Sequence, residues 1–345
     1  ALTPLPRPAL PRRPSPVLRD LASTMQELQA SAAVKAVVIA GAGSKAFSAG
    51  FDISQFAKGP KGESFGDVNA VLTALLENGD KPTVAAVRGV ALGGGCEVAL
   101  ACNGRVCTPK SKFGLPELQL GIIPGFGGTQ RLPRLVGLEQ GIKMILTSKP
   151  INAKAAKKSG LVLEVVPDDE LLEAASKAAL EMAAGRLKRE RALQKKDKLP
   201  PKPMIPYAFH MAKEQIKAKA PNLQHPVLCL DAMLAGLQNG GEAGLRAEAE
   251  AFQAAAALLD VEVRRSRPPR DVAGLPLAEA LALADELGVP HSHTGRGAGG
   301  RGRLAREVRA TWRGLAGLLK VRPEHHRLVF GLCRRTLTGL VAGLG

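Results

Sequence analysis

Two glutamates, Glu97 and Glu117, are the residues whose type and setting best suit acid–base chemistry. Glu97 falls in the first turn of an expected helix, and Glu117 follows Pro116 directly before an apolar stretch. If the two carboxyl groups share an apolar site, one pKa is pushed upward, so that an acid and a base can coexist there. Each glutamate also has a plainer interpretation, as a carboxylate that favours a helix N-terminus. The spacing alone does not show that the two meet.

Two glycine-containing segments follow expected strands and could approach a ligand, Ala46–Ile53 and Ala91–Glu97. The amide of Gly94 falls at a helix start, where unpaired N–H groups and the helix dipole favour negative charge. Successive glycines also let the backbone come close to a ligand. A tight turn without function is the commoner reason for glycines after a strand, so these segments are weak evidence by themselves.

The cysteines and histidines do not form a pattern typical of a metal site. Five cysteines occur without a CxxC pair, which indicates reduced thiols in an intracellular compartment. Four histidines, His291, His293, His325 and His326, lack cysteine or acidic partners at ligand spacing, and we interpret them as solvated. We therefore predict no metal site.

The chain of 345 residues is strongly basic, with a formal net charge of +17. Such a charge fits nucleic acid, an anionic membrane surface or a phosphorylated ligand. Aromatic residues make up only 3% of the sequence, which leaves few stacking platforms and disfavours nucleic-acid binding. No apolar run of about eighteen residues occurs, so the sequence predicts no membrane-spanning helix.

Short apolar runs alternate with helical patterns, which indicates the α/β class. We predict strands at 34–40, 83–90, 105–108 and 161–166. We predict helices at 17–31, 67–77, from the glycines at 93–95 through 101, 138–147, 152–158, 168–184 and over most of 203–259.

Composition divides the chain into four segments. Residues 1–16 form a Pro/Arg-rich leader expected to be disordered, and 17–185 form the catalytic core. Residues 186–259 begin with a basic stretch, 186–202, which we interpret as a solvated helix end and linker, and continue into C-terminal helices. Residues 260–345 form an Arg/Gly-rich tail of unknown structure.

Several separate runs, in order and spacing, resemble the crotonase (enoyl-CoA hydratase/isomerase) superfamily. They include KAFSAGFDI, VALGGGCEVALACNG and KFGLPELQLGIIPGFGGTQRLPRLVG. The later run KAPNLQHPVLCLDAMLAGLQNGGEAGLRAEAEAFQ is similar to the end of the N-terminal hydratase region of peroxisomal, plant-type multifunctional β-oxidation proteins. The resemblance extends from about Val17 to Leu259.

The resemblance implies an α/β crotonase-like spiral of ββα units with a C-terminal helical region. It implies an acyl-CoA thioester as ligand, with helices that support a homotrimer or pack internally. Family members begin with a strand pair that residues 1–16 do not show, so the first strands are expected to be missing. A chain left unstable by that loss is one alternative.

Carried over by position, the resemblance implies backbone roles for four residues. The amides of Phe51 and Gly94 match the oxyanion-hole donors that stabilise charge on the thioester oxygen. The carbonyl of Ala49 matches a contact with the adenine of CoA. The amide of Gly125 matches a residue that places the catalytic water.

Glu97 and Glu117 match the two glutamates of the family's hydratases. The resemblance implies that Glu97 orients and deprotonates water for attack at Cβ, while Glu117 delivers a proton to Cα. The expected reaction is hydration of trans-2-enoyl-CoA to 3-hydroxyacyl-CoA in fatty-acid β-oxidation, with no cofactor beyond the CoA of the substrate. The alternatives are a Δ3,Δ2-enoyl-CoA isomerase, which needs one carboxylate, and a non-catalytic or RNA-binding relative.

Two expectations concern the rest of the chain. No GxGxxG motif follows residue 260, so we predict no NAD-dependent dehydrogenase domain. The resemblance implies a peroxisomal location, although the final residues are not an SKL-type signal, and a mitochondrial or plastid location stays open.

Overall fold

The computed structural model describes residues 16–43, 45–50, 65–220 and 222–265. The chain divides into two units, Ala1–Ala256 and Ala257–Gly345, and nearly all described residues belong to the first. The predictions for the leader and the tail therefore fall almost entirely outside the described residues. Phe51 and the four histidines from His291 to His326 also lie outside them.

Two four-stranded sheets form the framework of the first unit. The first sheet has the order β1-β3-β5-β8 and is parallel throughout, with strands Val37–Ala40, Thr83–Val87, Gly104–Cys107 and Glu164–Val165. The second has the order β2-β4-β6-β7, with strands Ala46–Ser48, Val90–Leu92, Lys112–Gly114 and Ile151–Asn152. Its last strand is antiparallel to its neighbour, and the other pairs are parallel.

Successive strand pairs divide between the two sheets. β3 belongs to the first sheet and β4, directly after it, to the second; β5 and β6 repeat this division one position further along both sheets. Helices follow each pair, as parallel neighbours require a crossover connection. The predicted α/β class is confirmed, and the repeat matches the ββα units that the resemblance implied.

Helices cover the sheets and form the C-terminal part of the described chain. They are α1 Pro16–Ala30, α2 Phe65–Leu72, α3 Gly94–Ala101, α4 Gly128–Val136, α5 Leu138–Thr147, α6 Ala153–Ser159, α7 Leu171–Ala183, α8 Ile205–Lys219, α9 His225–Asn239 and α10 Gly241–Arg265. α2 continues as a π-helical turn over Thr73–Glu77, and short 3₁₀ turns lie at Glu117–Leu120, Ala192–Gln194 and Lys202–Met204. The predicted C-terminal helical region is therefore present.

Apolar residues of the first sheet and α7 form a buried core. Val84 and Ala86 of β3 pack with Val106 of β5, and helix α7 covers them with Ala175 and Ala179 among other small residues. Every residue of β3 and β5 is buried, as expected for central strands of a parallel sheet. A continuous apolar run therefore signals these strands better than an alternating pattern.

The strand predicted at 83–90 is two strands. The chain turns after β3 at Gly89, whose φ of +65° lies in the left-handed region, and β4 then enters the second sheet. A side chain at Gly89 would also collide with the carbonyl of Lys45. The run of apolar residues continued through the turn, so it did not reveal the change of sheet.

Helix α4 was not predicted, because it contains Pro133 and follows a glycine-rich run. All nine of its residues are buried, including Arg131 and Arg134. Arg131 pairs with the buried Glu77 at 2.9 Å, and Arg134 Nη2 donates to the carbonyl of Gly236 at 2.7 Å. Tertiary contacts of this kind stabilise a helix that local propensity disfavours.

The stretch 186–202, which we interpret as a solvated helix end and linker, is attached to the core at several points while about half of its residues are exposed. Ala192 is fully buried, and the Leu193 amide donates to Glu77 Oε1 at 2.6 Å. Glu190 forms an ion pair with the buried Arg105. The number of basic residues in 186–202 does not reveal that carboxylate and carbonyl groups of the core bind some of them.

The described part of the chain contains no helix that is both long and apolar enough to cross a membrane. Within the same residues, no three His, Cys, Asp or Glu side chains are grouped in a way that could hold a metal ion. Cys96, Cys102, Cys107 and Cys229 are buried free thiols.

Candidate active site

The second sheet brings Glu97 and Glu117 together. β4 and β6 are parallel neighbours, with Leu92 opposite Gly114, so their carboxyl ends lie side by side. Glu97 lies in the first turn of α3, which follows β4, and Glu117 begins the 3₁₀ turn that follows β6. Each glutamate comes shortly after a strand end, and both line one cavity. The structure thus shows that the two glutamates lie at one cavity, which their spacing in the sequence could not show.

The cavity contains every predicted site residue that the structure describes. Ala49, Gly94 and Gly125 line it together with the two glutamates, around about 500 Å³ of space between the atoms, part of it open to solvent. The remaining wall is mainly apolar, with Leu120, Ile122, Ile123, Phe126 and Phe252. A concave, largely apolar site with few polar groups is typical of small-molecule pockets.

Glu97 is fixed by backbone amides. Its Oε1 accepts hydrogen bonds from the amides of Phe126, at 2.8 Å, and Gly128, at 2.7 Å. Gly128 begins α4, so this oxygen lies at a helix N-terminus, where negative charge is stabilised. Glu97 is only 2% exposed, and with Oε1 fixed its other carboxylate oxygen is the one available to a ligand.

Glu117 lies in a contrasting environment. Its side chain is buried, and Oε2 has no hydrogen-bond partner within the described residues. A side chain added at Gly93 would come within 2.9 Å of Glu117 Oε1, so only glycine leaves room for this carboxyl group. Gly93 also has φ of +53°, which glycine adopts without strain.

Burial raises the pKa of both glutamates. Burial raises the pKa of Glu97 well above its ordinary value, and the carboxylates of Glu117 and Glu248 raise it further, against the opposing effect of the two amides. Burial raises the pKa of Glu117 to about 8, opposed by its own amide and assisted by Glu248.

The hydrogen-bond surroundings of the two carboxyl groups differ. Two amides stabilise the ionised form of Glu97. The buried Oε2 of Glu117 has no partner among the described residues, which favours the neutral form. Such a contrast is the kind that allows one carboxyl group to act as a base and a neighbouring one as an acid.

Of the two expected oxyanion-hole donors, Gly94 lies within the described residues and Phe51 does not. Gly94 is the first residue of α3, and Gly93 precedes it as the N-terminal cap. A Cβ built at Gly50 would lie 3.5 Å from the Gly94 amide nitrogen, so the chain leading to residue 51 passes close to Gly94. Phe51 itself lies outside the described residues, and its amide stays a prediction.

Sequence reasoning missed three residues of this site: Asn69 on α2, and Glu248 and Phe252 on α10. Phe252 lines the cavity, and a Cβ at Gly125 would meet its ring at 2.8 Å. Glu248 is fully buried behind the turn that holds Glu97. A signal was available, because Leu245, Glu248, Phe252 and Ala255 recur at helical spacing, so that one glutamate falls within an apolar stripe.

Comparisons with known proteins give consistent results. The model of the family described as enoyl-CoA hydratase/isomerase matches residues 14–228. The glyoxysomal fatty acid beta-oxidation multifunctional protein MFP-a of Brassica napus is 48% identical over 239 residues, 68% of this chain and 33% of that protein. The peroxisomal fatty acid beta-oxidation multifunctional protein MFP2 of Arabidopsis thaliana is 47% identical over the same length and the same shares.

Among solved structures, the chain is similar to an enoyl-CoA hydratase from Bacillus anthracis. The two are 29% identical, and the match covers 72% of this chain and 85% of that one, with a TM-score of 0.44. The present chain spans about a third of the length of the curated multifunctional relatives that it matches.

Proposed function

This chain belongs to the enoyl-CoA hydratase/isomerase family, and from that premise we propose that it hydrates trans-2-enoyl-CoA thioesters to 3-hydroxyacyl-CoA. One observation carries the choice of reaction. Glu97 and Glu117 face one cavity in contrasting surroundings, one held by two amides and one buried without a partner for Oε2. Hydration needs such a pair, because water loses a proton on attack at Cβ and Cα gains one.

In the proposed reaction Glu97 is the base. The amides of Phe126 and Gly128 hold Oε1, so the second oxygen orients a water molecule and accepts its proton as the oxygen attacks Cβ. The amide of Gly125, on the same cavity wall, helps to place that water.

Glu117 is the acid of the proposed reaction. Because its pKa is raised to about 8, it carries a proton at neutral pH and can deliver it to Cα. Charge that develops on the thioester oxygen is stabilised by the amides of Gly94 and Phe51. Loss of one such donor typically costs about 3 kcal/mol of transition-state stabilisation.

The proposal extends to binding and context. The carbonyl of Ala49 contacts the adenine of CoA, and the substrate supplies the only coenzyme. The names of the plant relatives support a role in fatty-acid β-oxidation in peroxisomes or glyoxysomes. The pocket includes Phe252 of α10 from the same chain, which supports internal packing of the C-terminal helices as an alternative to a trimer.

Steady-state hydration of crotonyl-CoA, followed by loss of the conjugated enoyl-thioester absorbance, tests the mechanism. We expect Glu97→Gln and Glu117→Gln each to lower kcat by about 10²- to 10⁴-fold, the usual contribution of a positioned acid or base. Glu164→Gln, at an exposed position on β8, is the matched control and should retain parental activity.

A Δ3-enoyl-CoA substrate separates hydration from isomerisation. Isomerisation moves a substrate proton with one carboxylate, so an isomerase would tolerate Glu97→Gln while losing activity in Glu117→Gln. Turnover of crotonyl-CoA that neither glutamine variant affects would contradict the acid–base assignment. A folded parent protein that does not hydrate crotonyl-CoA would contradict the proposed reaction itself.

A further inference from the structure

Glu248 is a third carboxylate behind the cavity, on the inner face of helix α10, and the proposed mechanism assigns it no step. It is fully buried and accepts four hydrogen bonds. Oε1 accepts from the Gly127 amide at 2.6 Å and from Asn69 Nδ2 at 3.3 Å. Oε2 accepts from the Thr129 amide at 3.0 Å and from Thr129 Oγ1 at 2.6 Å. A side chain with so many donors is built into the site rather than enclosed by chance.

The amides of the turn at 126–129 alternate between two glutamates. Phe126 and Gly128 donate to Glu97, whereas Gly127 and Thr129 donate to Glu248. Gly128 and Thr129 are the first residues of α4 and Gly127 is its N-terminal cap, so their amides need acceptors that no preceding helical turn supplies. The four amides belong to consecutive residues. A change in the hydrogen bonds to one glutamate should therefore displace the amides that bind the other.

Asn69 connects the same cluster to Gly125. Its Nδ2 donates to the carbonyl of Gly125 at 3.0 Å as well as to Glu248 Oε1. Arg131 Nη1 adds a bond to the carbonyl of Phe126 at 3.0 Å. The backbone from 125 to 129 is therefore held from α2, from α4 and from α10.

We propose that Glu248 is a positioning residue, which holds the 125–129 turn so that Glu97 and the Gly125 amide face the substrate correctly. This inference rests on the proposed hydration for its catalytic consequence, although the hydrogen-bond geometry stands without it. Glu248 touches no part of the cavity directly in the described structure; it acts through the amides it shares with Glu97.

A carboxylate is required because every group around it is a donor. A glutamine would place an NH₂ group against either the Gly127 amide or the Thr129 amide, both of which donate. One amide would lose its acceptor inside the core, and the turn would have to shift to recover it. A displacement of about 1 Å at a catalytic group can cost about 10²-fold in rate.

In its ionised form Glu248 also acts on Glu97 and Glu117. Its charge raises the pKa of both, by less than burial does. Burial raises the pKa of Glu248 itself, opposed by its hydrogen bonds from Thr129, Gly127 and Asn69. Titratable groups near this cluster include the guanidinium of Arg131 on α4 and the thiols of Cys96 on α3 and Cys229 on α9, and burial raises the pKa of both thiols well above the ordinary range. Neutralising Glu248 should therefore move the alkaline limb of the rate profile to lower pH.

Glu248→Gln in the full chain tests the proposal, with Glu250→Gln as the matched control, since Glu250 lies exposed on the same helix. We expect Glu248→Gln to lower kcat for crotonyl-CoA by about 10- to 100-fold and to change KM much less, because it should displace reacting groups rather than remove a group that binds substrate. The pH at which kcat falls on the alkaline side should decrease. Glu250→Gln should match the parent in all three quantities.

A second readout does not depend on turnover. Selective ¹⁵N-phenylalanine labelling reports the Phe126 amide, whose resonance can be assigned with a Phe126→Leu variant. Glu97→Gln should shift this resonance, because the amide donates to Glu97. Glu248→Gln should shift it through the neighbouring amides of Gly127 and Thr129, which donate to Glu248. Glu250→Gln should leave it in place.

The outcomes separate the two proposals. A shifted Phe126 resonance together with a lowered kcat in Glu248→Gln supports positioning by Glu248. If Glu248→Gln shifts the resonance but the parent protein itself has no hydratase activity, only the proposed function is overturned. An unchanged resonance, or a kcat equal to that of the parent, overturns the positioning role. Where Glu248→Gln does not fold, Asn69→Ala removes the bonds to Gly125 and Glu248 from the other side. It should give the same kcat loss and the same shift, and its failure to do so contradicts the inference.

Discussion

The Glu117 side chain is buried, its Oε2 has no hydrogen-bond partner among the described residues, and its pKa is raised. The free energy of unfolding therefore depends on whether this carboxyl group is protonated. The folded state binds this proton more tightly than the unfolded chain does. The stabilising contribution of the bound proton is therefore fully present below the ordinary pKa of a glutamate and is lost as the pH rises towards about 8. Ionisation of Glu117 is therefore expected to lower the free energy of unfolding at alkaline pH.

Glu117→Gln should remove this pH dependence. Below pH 5 the variant and the parent should have similar free energies of unfolding. At pH 8 the variant should be more stable by an amount on the order of a few kcal/mol, because glutamine has no proton to lose. Urea unfolding at several pH values measures the difference, with the exposed Glu164→Gln as control. A difference between variant and parent that stays constant from pH 5 to pH 8 would contradict the raised pKa.

The two glutamates of the proposed acid–base pair can be found from the sequence, whereas the residues that hold Glu97 in place cannot. Glu97 and Glu117 stand beside glycines and strand ends, where local pattern and family resemblance both apply. Glu248 lies 121 residues from Gly127 and 179 from Asn69, so nothing local to it marks its partners. The sequence shows only that Glu248 falls within an apolar stripe at helical spacing, with Leu245 and Phe252. Side-chain roles that depend on a distant helix require the tertiary arrangement.

At the scale of elements, apolar runs and helical periodicity predict most of the framework, whereas helix α4 and several three-residue strands are not resolved as separate elements. β1, β3, β5 and α5 follow from apolar runs and helical periodicity. β2, β4 and β6 have three residues each, too few for a pattern to emerge, yet two of them bring the glutamates together. The elements that build the site are therefore those with the weakest local signal.

Close packing of α9 on α10 and α4 places Glu248 and depends on small residues. A Cβ at Gly236 would lie 2.7 Å from the Cα of Gly244, and it would also collide with Gln130. Gln130 is itself fixed, since its Nε2 donates to the carbonyl of Ala232 at 2.9 Å. The crossing of these helices thus has no space for an added methyl group.

Gly236→Ala should destabilise the protein by about 1 to 3 kcal/mol, the usual cost of overpacking a core, despite the better helix propensity of alanine. Gly43→Ala is the control, because a Cβ at Gly43 meets no atom within 4 Å. Thermal unfolding of both variants measures the effect. Equal melting temperatures for Gly236→Ala and the parent would show that the helices can separate without penalty.

At the scale of the whole molecule, the basic stretch 186–202 connects distant parts of the first unit. Lys198 Nζ donates to the carbonyl of Leu135 and to that of Ser159, each at 2.6 Å. These carbonyls lie near the C-termini of α4 and α6, where a cation is favoured. Burial lowers the pKa of Lys198, and Lys195 lowers it further. The ammonium group lies in a partly exposed site.

Lys198→Met should lower the free energy of unfolding by about 1 to 2 kcal/mol, since two charge-assisted hydrogen bonds are lost from a partly exposed site. The exposed Lys196→Met is the matched control. Limited trypsin digestion should cut within 186–202 more readily in Lys198→Met than in the control. Identical digestion of the two variants would show that the Lys198 hydrogen bonds do not hold this stretch in place.

The position of Glu248 late in the chain has a consequence for synthesis on the ribosome. The amides of Gly127 and Thr129 emerge 121 and 119 residues before their acceptor. At about 5 to 20 residues per second, this interval is roughly 5 to 25 s. During that time Glu97, Glu117 and strands β1 to β6 are already translated, but the turn at 126–129 lacks half of its acceptors. A ribosome stalled before residue 248 would therefore hold a chain in which the amides of Gly127 and Thr129 lack the carboxylate that binds them in the complete fold.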